Sequence, residues 1–564
     1  MERGMCQAEV SSSQGCVLSA PGNATSTTYE DAVLNTALSS MGSIAIVSLQ
    51  ERSRQLDGGR VVRVAAKFAS RRGFVRSARA VLVGLTAAAF GVRAEVDPSM
   101  PPGYVSVKDF GAKGDGVTDD TAAIVAAHAA STSVYYPRGT YQINFPESSA
   151  LTTYTRKKHI SIRGNNALIH DGRTYMADSI SAIFSFDACA DVSVIGVNYE
   201  GLPLSDKLKP GRGIGYRGAT FINLKNACKS VVVNANLRYM RYGVRGGDYS
   251  LYSQGNNDDL KIRLVTVECG YPVALYLSSG VQLDIYAEGS HRSAYLAGVN
   301  KCQGIVRFKN QYIAPIQVLL TDATINGQSY PTGISRGCSD VDLRAWDMGS
   351  TLWTANSFCA GISMSRGDAN TLFENISIDV YVKSNDRIAS QLSAFCIYNN
   401  FTGVQKSYPN NWQQSFYFRN IKLSGVLDRS DQEVTENSSN GEIYWYTLSS
   451  GENYGTVEGL EISNFRYLPG SGDKPRGFFF VNPGLVGVAK IDNCNFGKET
   501  PVHYVSNTTS ITNISNTTLR GTYDSTSDSP YNSVINFINC VIADQAFQPR
   551  ANKTFTNTSI GRKG

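Results

Sequence analysis

From Val105 onward the chain is written in short runs in which Val, Ile, Leu and Tyr alternate with polar residues, each run closed by Gly, Asn or Asp. Alternation with a period of two marks a half-buried β-strand, and those closing residues tolerate the backbone of tight turns. A helix is predicted over residues 120–130, which are dominated by alanine, with Thr118 or Asp119 as its N-cap. The strands repeat. Setting residues 264–277 against 284–297 aligns Glu268 with Glu288 at a period of 20, and looser copies lie at 231–244, 303–320 and 341–354, the last with Asp347 near the glutamate position. Degenerate repeats of about 20 to 30 residues, rich in β-branched side chains, predict an all-β fold, a parallel β-helix in which each coil pairs only with its neighbours. A β-propeller needs repeats of about 40 or more with a recurrent blade signature. None is visible.

Composition agrees with this reading. Of 564 residues, 42% are hydrophobic and 18% charged, enough apolar material for a large core and too little charge for a disordered chain. No run of 18 apolar residues occurs, which excludes a conventional membrane span. The net charge of +6 is unevenly placed: from Arg52 to Arg93 ten basic residues face one acid, Asp57, so this stretch carries +9 and the remainder −3. The bulk of the chain therefore lacks the electrostatic footprint of a nucleic-acid binder. Eleven cysteines are scattered without a Cys-x-x-Cys pair, which reads as buried thiols and offers no zinc ribbon.

Residues 1–100 differ in texture. They hold the basic stretch, a helix-compatible segment at 28–38 and an apolar segment at 80–90, and a Pro/Gly-rich hinge at 97–103 separates them from the strands. Ser70-Arg71-Arg72-Gly73-Phe74, the apolar run after it and Val92-Arg93-Ala94 resemble a twin-arginine export signal, with translation then starting later, for example at Met41. The alternative is a partly helical anchor or assembly segment.

The head of the strand region reads Val105-Ser106-Val107-Lys108-Asp109-Phe110-Gly111-Ala112-Lys113-Gly114-Asp115-Gly116-Val117-Thr118-Asp119-Asp120, followed by Val134-Tyr135-Tyr136-Pro137-Arg138-Gly139-Thr140-Tyr141. Asp109-Phe110-Gly111 is expected to end the first strand, and the predicted helix to cap the open end of the solenoid. These two motifs, about 40 residues together, closely resemble the opening of the pectate-lyase-like superfamily of right-handed β-helices. The resemblance implies a right-handed parallel β-helix with an N-terminal capping helix over residues 104–470, acting on polysaccharide. With the head at 1–100 and a Ser/Asn/Thr-rich C-terminal β region at 471–564, the chain looks most like a phage or prophage tailspike depolymerase. Such a protein is a homotrimer that attaches to the virion tail or baseplate through its N-terminus and meets bacterial capsular or O-antigen polysaccharide. The polygalacturonase subfamily is disfavoured, since Asn-Thr-Asp, Gly-His-Gly and Arg-Ile-Lys do not occur.

Hydrolysis of a glycosidic bond generally takes two carboxyl groups, and a β-helix supplies them by stacking coils about 4.8 Å apart. Glu268 over Glu288 is expected to give the closer arrangement, and Asp347 with Glu288 the wider one. Tyr271, His291, Arg292, Tyr295 and Trp346 accompany them as candidate substrate-binding residues, since aromatic groups stack on sugars and Arg binds a carboxylate by two hydrogen bonds. On a uronic-acid polymer the reaction becomes β-elimination, with Tyr295 or His291 as base and Arg292 neutralising the carboxylate. Asp206 and Asp248 fall in Gly/Lys/Arg-rich excursions that read as groove-walling loops. No calcium loop, phosphate loop or dinucleotide fingerprint occurs, so no metal or cofactor is expected. Two competing readings are a secreted or periplasmic enzyme exported through residues 70–94 and a non-catalytic glycan-binding spike.

Overall fold

The computed structural model describes residues 100–561, apart from 148, 174–180, 204–217, 248–255, 313, 320–323, 326–327, 330–336, 350–357, 365–371, 384–392, 400–416, 431–442, 448–455, 472–477, 482–487, 498–500, 506–510, 525–533 and 545–552. The chain divides into Met1–Arg93 and Ala94–Gly564, and all described residues fall in the second unit. The anchor and export readings, and Asp206 and Asp248, lie outside the described residues.

Ala94–Gly564 is a right-handed parallel β-helix. One interior position can be followed from coil to coil through Val105, Val134, Ile162, Val194, Val233, Ile262, Leu283, Gly304, Leu343, Ile378, Leu423, Ile462, Ile491, Ile514, Phe537 and Phe555, each paired in parallel register with the next. Burying one such side chain contributes roughly 1.5–3 kcal/mol, so the column is a hydrophobic spine broken at Gly304. A turn takes 21 residues from Ile262 to Leu283 and 45 from Ile378 to Leu423. Register survives this variation because it is set where strands pair, and the parallel ladder runs across residue 470 to Phe555 without a change of architecture.

The turn residues that close each run have a specific task. At one corner, ten successive coils place a residue with φ between 52° and 72°: His159, Asp191, Ser230, Asp259, Gly280, Lys301, Asp340, Asn375, Asn420 and Gly459. Left-handed backbone is costly for most side chains and cheapest for Gly, Asn and Asp, which fill seven of these ten positions and part of whose side chains form a ladder. Asn420 Nδ2 donates to Asn375 Oδ1 at 3.0 Å and Asn375 Nδ2 to Asp340 Oδ1 at 2.9 Å.

The N-terminal end departs from expectation in detail. The first strand is only Val105–Ser106, and Val107–Phe110 winds into a 3-10 turn held by a reciprocal Ser106/Asp109 capping box and closed by Gly111 at φ 102°. The helix spans Thr121–Ala130 with Asp120 as N-cap, while Thr118 and Asp119 belong to the strand Asp115–Asp119. Asp120 makes no side-chain capping bond because its carboxylate is engaged elsewhere, accepting from Lys113 N at 2.6 Å and Gly114 N at 3.0 Å. Asp115 is held at a pKa of about 2 chiefly by the Thr118 and Val117 backbone N–H groups. Ile124 and Ala127 of the helix are fully buried in the core. Beside them His128 bridges the hydroxyls of Tyr154 and Tyr136 at 2.7 Å each, and burial lowers its pKa to about 3. Eight cysteines among the described residues are buried and unpaired with one another.

Gly304 interrupts the spine of branched side chains for a steric reason. A Cβ there would stand 2.2 Å from the Leu283 carbonyl oxygen. Gly304→Ala is therefore expected to force neighbouring coils apart and destabilise the solenoid by about 2 kcal/mol or more. Thermal unfolding of the two forms checks this, and an unchanged midpoint would contradict the close approach.

Candidate functional site

A second corner decides where the predicted acids go. Tyr239, Glu268, Gly289 and Asn310 occupy it with φ of 53°, 49°, 65° and 53°. The register places Val267, not Glu268, opposite Glu288, and Leu264 opposite Ile285, so the repeat is 21 residues and not the expected 20. Glu268 is the corner residue; Glu288 is the last strand residue before the corner of the next coil. The two carboxylates are consequently not stacked. Glu288 belongs instead to a column of alternating charge on the outer face. His170 Nδ1 lies 3.9 Å and Arg238 Nη1 3.8 Å from Glu200, and Lys309 Nζ is 3.5 Å from Glu288 Oε1. Tyr286 donates its hydroxyl to Glu288 Oε2 at 3.4 Å.

Asp347 does not join Glu288 either. It pairs with Phe308, whose column also holds Ala287 and Thr266, all fully buried, and Asp347 itself is 3% exposed. Strand alternation thus turns it inward while Glu288 faces out; Gly349 N donates to its Oδ1 at 3.0 Å. Trp346, one residue earlier, faces outward at 49% exposure beside Tyr381, ring centroids 5.0 Å apart. It stands in the sheet before the corner, whereas the remaining candidates stand after it.

Those remaining four, Tyr271, His291, Arg292 and Tyr295, are brought together. After the corner the strands Asp258–Tyr276, Arg292–Ala297 and Ala314–Leu319 run side by side. Val273, Leu275, Ala294, Leu296, Ile316 and Val318 point into the core. The alternate positions Ala274, Tyr276, Ala297 and Leu319 form a separate apolar cluster on the outer side, with Tyr242, Tyr271 and Tyr295 packed against it. Tyr242 stacks on Tyr271 at 5.1 Å, and Tyr271 meets His291 and Tyr295 edge-on at 5.5 and 5.9 Å. Arg292 lies 5.9 Å from the Tyr271 ring and 5.8 Å from the Tyr295 ring, and Arg241 and Arg245 lie 5.3 and 5.2 Å from Tyr242.

The electrostatics follow from this packing. Arg292 Nη1 donates to the Tyr271 hydroxyl at 3.0 Å and approaches His291 Nδ1 at 3.4 Å, while its Nε is buried without a hydrogen-bond partner. No carboxylate among the described residues pairs with it. A partly buried guanidinium left in this state is an anion receptor, since its fork matches a carboxylate. Burial, and then the Arg292 charge, lower the His291 pKa to about 3, so its imidazole is neutral near pH 7. The hydrogen-bond pattern assigns the acceptor role to Nδ1. The site therefore offers a cation for an acidic group, a neutral imidazole and several phenolic hydroxyls.

Tyr242, Arg241, Arg245 and Tyr276 were not among the sequence candidates. Their signal is the spacing of 29 that sets Tyr242-Gly243-Val244 against Tyr271-Pro272-Val273, a longer interval than the 21 of the next coil.

The fold is a right-handed parallel β-helix, and its capped head resembles the opening of the pectate-lyase-like β-helices. Residues 104–167 match the family described as rhamnogalacturonase A/epimerase, pectate lyase-like. Mannuronan C5-epimerase AlgE1 of Azotobacter vinelandii is 48% identical over 64 residues, which are 10% of this chain and 5% of that protein. Among solved structures, the surface adhesin PfbA of Streptococcus pneumoniae aligns over 77% of this chain and 100% of its own at 14% identity and a TM-score of 0.32. The family 28 exopolygalacturonase of Yersinia enterocolitica aligns over 81% of this chain and 80% of its own at 11% identity and a TM-score of 0.32.

Because the His291 pKa is depressed, its imidazole should stay neutral as the pH falls through the ordinary value of 6.5 and take up a proton only near 3. An NMR titration of the labelled ring checks this. Protonation at the ordinary value would mean that the ring is solvated and Arg292 is not beside it.

Proposed function

We propose that the chain is a polysaccharide depolymerase that cleaves an acidic bacterial surface polysaccharide by β-elimination at the cluster of Tyr271, His291, Arg292 and Tyr295. The observation that carries this reading is Arg292, a partly buried guanidinium with an unpartnered Nε and no carboxylate paired to it among the described residues. It binds the uronate carboxylate and stabilises the negative charge that develops as the C5 proton leaves. Tyr295 accepts that proton, since the acceptor nitrogen of His291 already faces Arg292. The C5–H electron pair forms the C4–C5 double bond, and the C4–O4 bond breaks with its pair on O4, which takes up a proton from solvent. Two-carboxylate hydrolysis has less support, because Glu268, Glu288 and Asp347 occupy three different positions of the coil. The mannuronan C5-epimerases that match the head are named for a reaction at C5 of an acidic polymer; the matched residues lie outside the cluster, so this likeness supports the substrate class and not the catalytic roles.

The setting proposed is a phage or prophage tailspike, with residues 1–100 attaching to the tail and 471–564 serving a homotrimer. The separate basic head and the long C-terminal run of coils support it. Light scattering of the full chain should give a trimer, whereas a monomer whose mature form starts at Glu95 would favour the secreted enzyme.

The activity test exposes capsular polysaccharides and O-chains, with and without uronic acid, to the wild type, Arg292→Gln and Glu288→Gln. New reducing ends together with ultraviolet absorbance of the unsaturated product are expected only on uronate polymers. Arg292→Gln should lower the rate by about 10²–10³-fold. Reducing ends without absorbance, or loss of activity in Glu288→Gln alone, would return the chemistry to the carboxylates. Binding without any product would favour the glycan-binding spike.

A further inference from the structure

The corner that leads to Arg292 is backed by a column that changes character along the solenoid. In four successive coils the residue after the left-handed corner position is fully buried, and the column reads Met240, Cys269, Ser290 and Gln311. Met240 and Cys269 belong to the hydrophobic core. Ser290 and Gln311 are polar, and the coil of Ser290 is the one that carries His291, Arg292 and Tyr295. A glutamine amide is costly to bury unless both of its ends are bonded.

Both ends of Gln311 are used. Its Nε2 donates to the Ala287 carbonyl oxygen at 3.4 Å, and its Oε1 accepts from the Ser293 hydroxyl at 3.0 Å. A carbonyl oxygen can only accept, which fixes the orientation of the amide. Ala287 ends the strand before the corner and Ser293 stands in the strand after it, so one side chain from the following coil ties together the two arms of this corner. The backbone between them is held from both neighbouring coils. His291 N donates to Gly270 O at 3.1 Å, while Tyr312 N donates to Ser290 O at 3.0 Å and Ala314 N to His291 O at 3.3 Å. Arg292 leaves this braced segment to reach the Tyr271 hydroxyl.

We propose that Gln311 is a positioning residue for Arg292: by bracing Ala287 against Ser293 it fixes the corner from which the guanidinium reaches Tyr271, so that the anion receptor is formed before its ligand arrives. Preorganisation of this kind removes an ordering cost from binding. The role rests on the proposed reading of Arg292 as a uronate receptor. It adds a residue that never touches the polymer, since Gln311 is fully buried, and it explains why the apolar column turns polar at this coil and the next.

The test uses the full chain, a uronate hexasaccharide as ligand and a labelled His291 ring. Gln311→Met fills a similar space without hydrogen bonds, and Ser293→Ala removes a single hydroxyl. Each should weaken hexasaccharide binding by at least about tenfold in calorimetry at pH 7. Each should also raise the pH at which the unliganded His291 ring takes up its proton, because the Arg292 charge no longer stands beside it. Gln311→Glu should recover most of the affinity at pH 5, where a buried carboxyl is protonated and donates to Ala287 while accepting from Ser293. A lowered thermal midpoint with binding and His291 titration unchanged would make Gln311 a packing residue only and overturn the proposal, while leaving the Arg292 site standing. If Gln311→Met does not fold, Ser293→Ala decides in the same way. If the wild type binds no hexasaccharide, the uronate reading of Arg292 falls, and the role of Gln311 falls with it.

Discussion

Every feature of this protein depends on in-register parallel pairing of one coil with the next. The hydrogen-bond ladder holds successive strands about 4.8 Å apart, so whatever occupies a position in one coil is repeated, matched or opposed one step along the axis. In the interior this produces the spine from Val105 to Phe555 and excludes any side chain at Gly304. At the corners it aligns left-handed residues into a column and lets Asn375 and Asn420 bond along it. On the outer face it turns isolated charges into ladders, of which Glu288 with Lys309 is one.

The same pairing assembles the site from residues distant in the chain. Tyr242, Tyr271 and Arg292 are neighbours because they share a row, and the apolar patch of Ala274, Tyr276, Ala297 and Leu319 forms their floor. That floor matters electrostatically. It takes His291 and part of Arg292 out of water, which depresses the imidazole pKa and leaves a guanidinium with more affinity for an anion than it would have in solvent. The tyrosines complete the arrangement by holding Arg292 in place through one hydrogen bond and two ring contacts.

One-residue differences separate the carboxylates that the repeat appeared to unite. Glu268 takes the left-handed corner, Glu288 the outward position before it, and Asp347 the inward position before that. In a strand, neighbouring residues face opposite sides, so a shift of one in the aligned period is enough to move an acid from a cleft into the core. An alignment at 20 matches like residues; the step of 21 matches like environments.

The sequence by itself determined the class of fold, the strand-and-turn texture, the capped head and the burial of the eight described cysteines, because each is written in local alternation, turn residues or a contiguous motif. It also held four members of the candidate site, Tyr271, His291, Arg292 and Tyr295, which lie within one coil step of each other. Tertiary structure decided the rest. The number of residues per coil varies from 18 to 45, and only strand pairing reveals which residues share a row. For that reason Tyr242, Arg241 and Arg245 entered the site, Trp346 fell on a different sheet, and Glu268, Glu288 and Asp347 parted, although nothing in their immediate sequence distinguishes the outcomes.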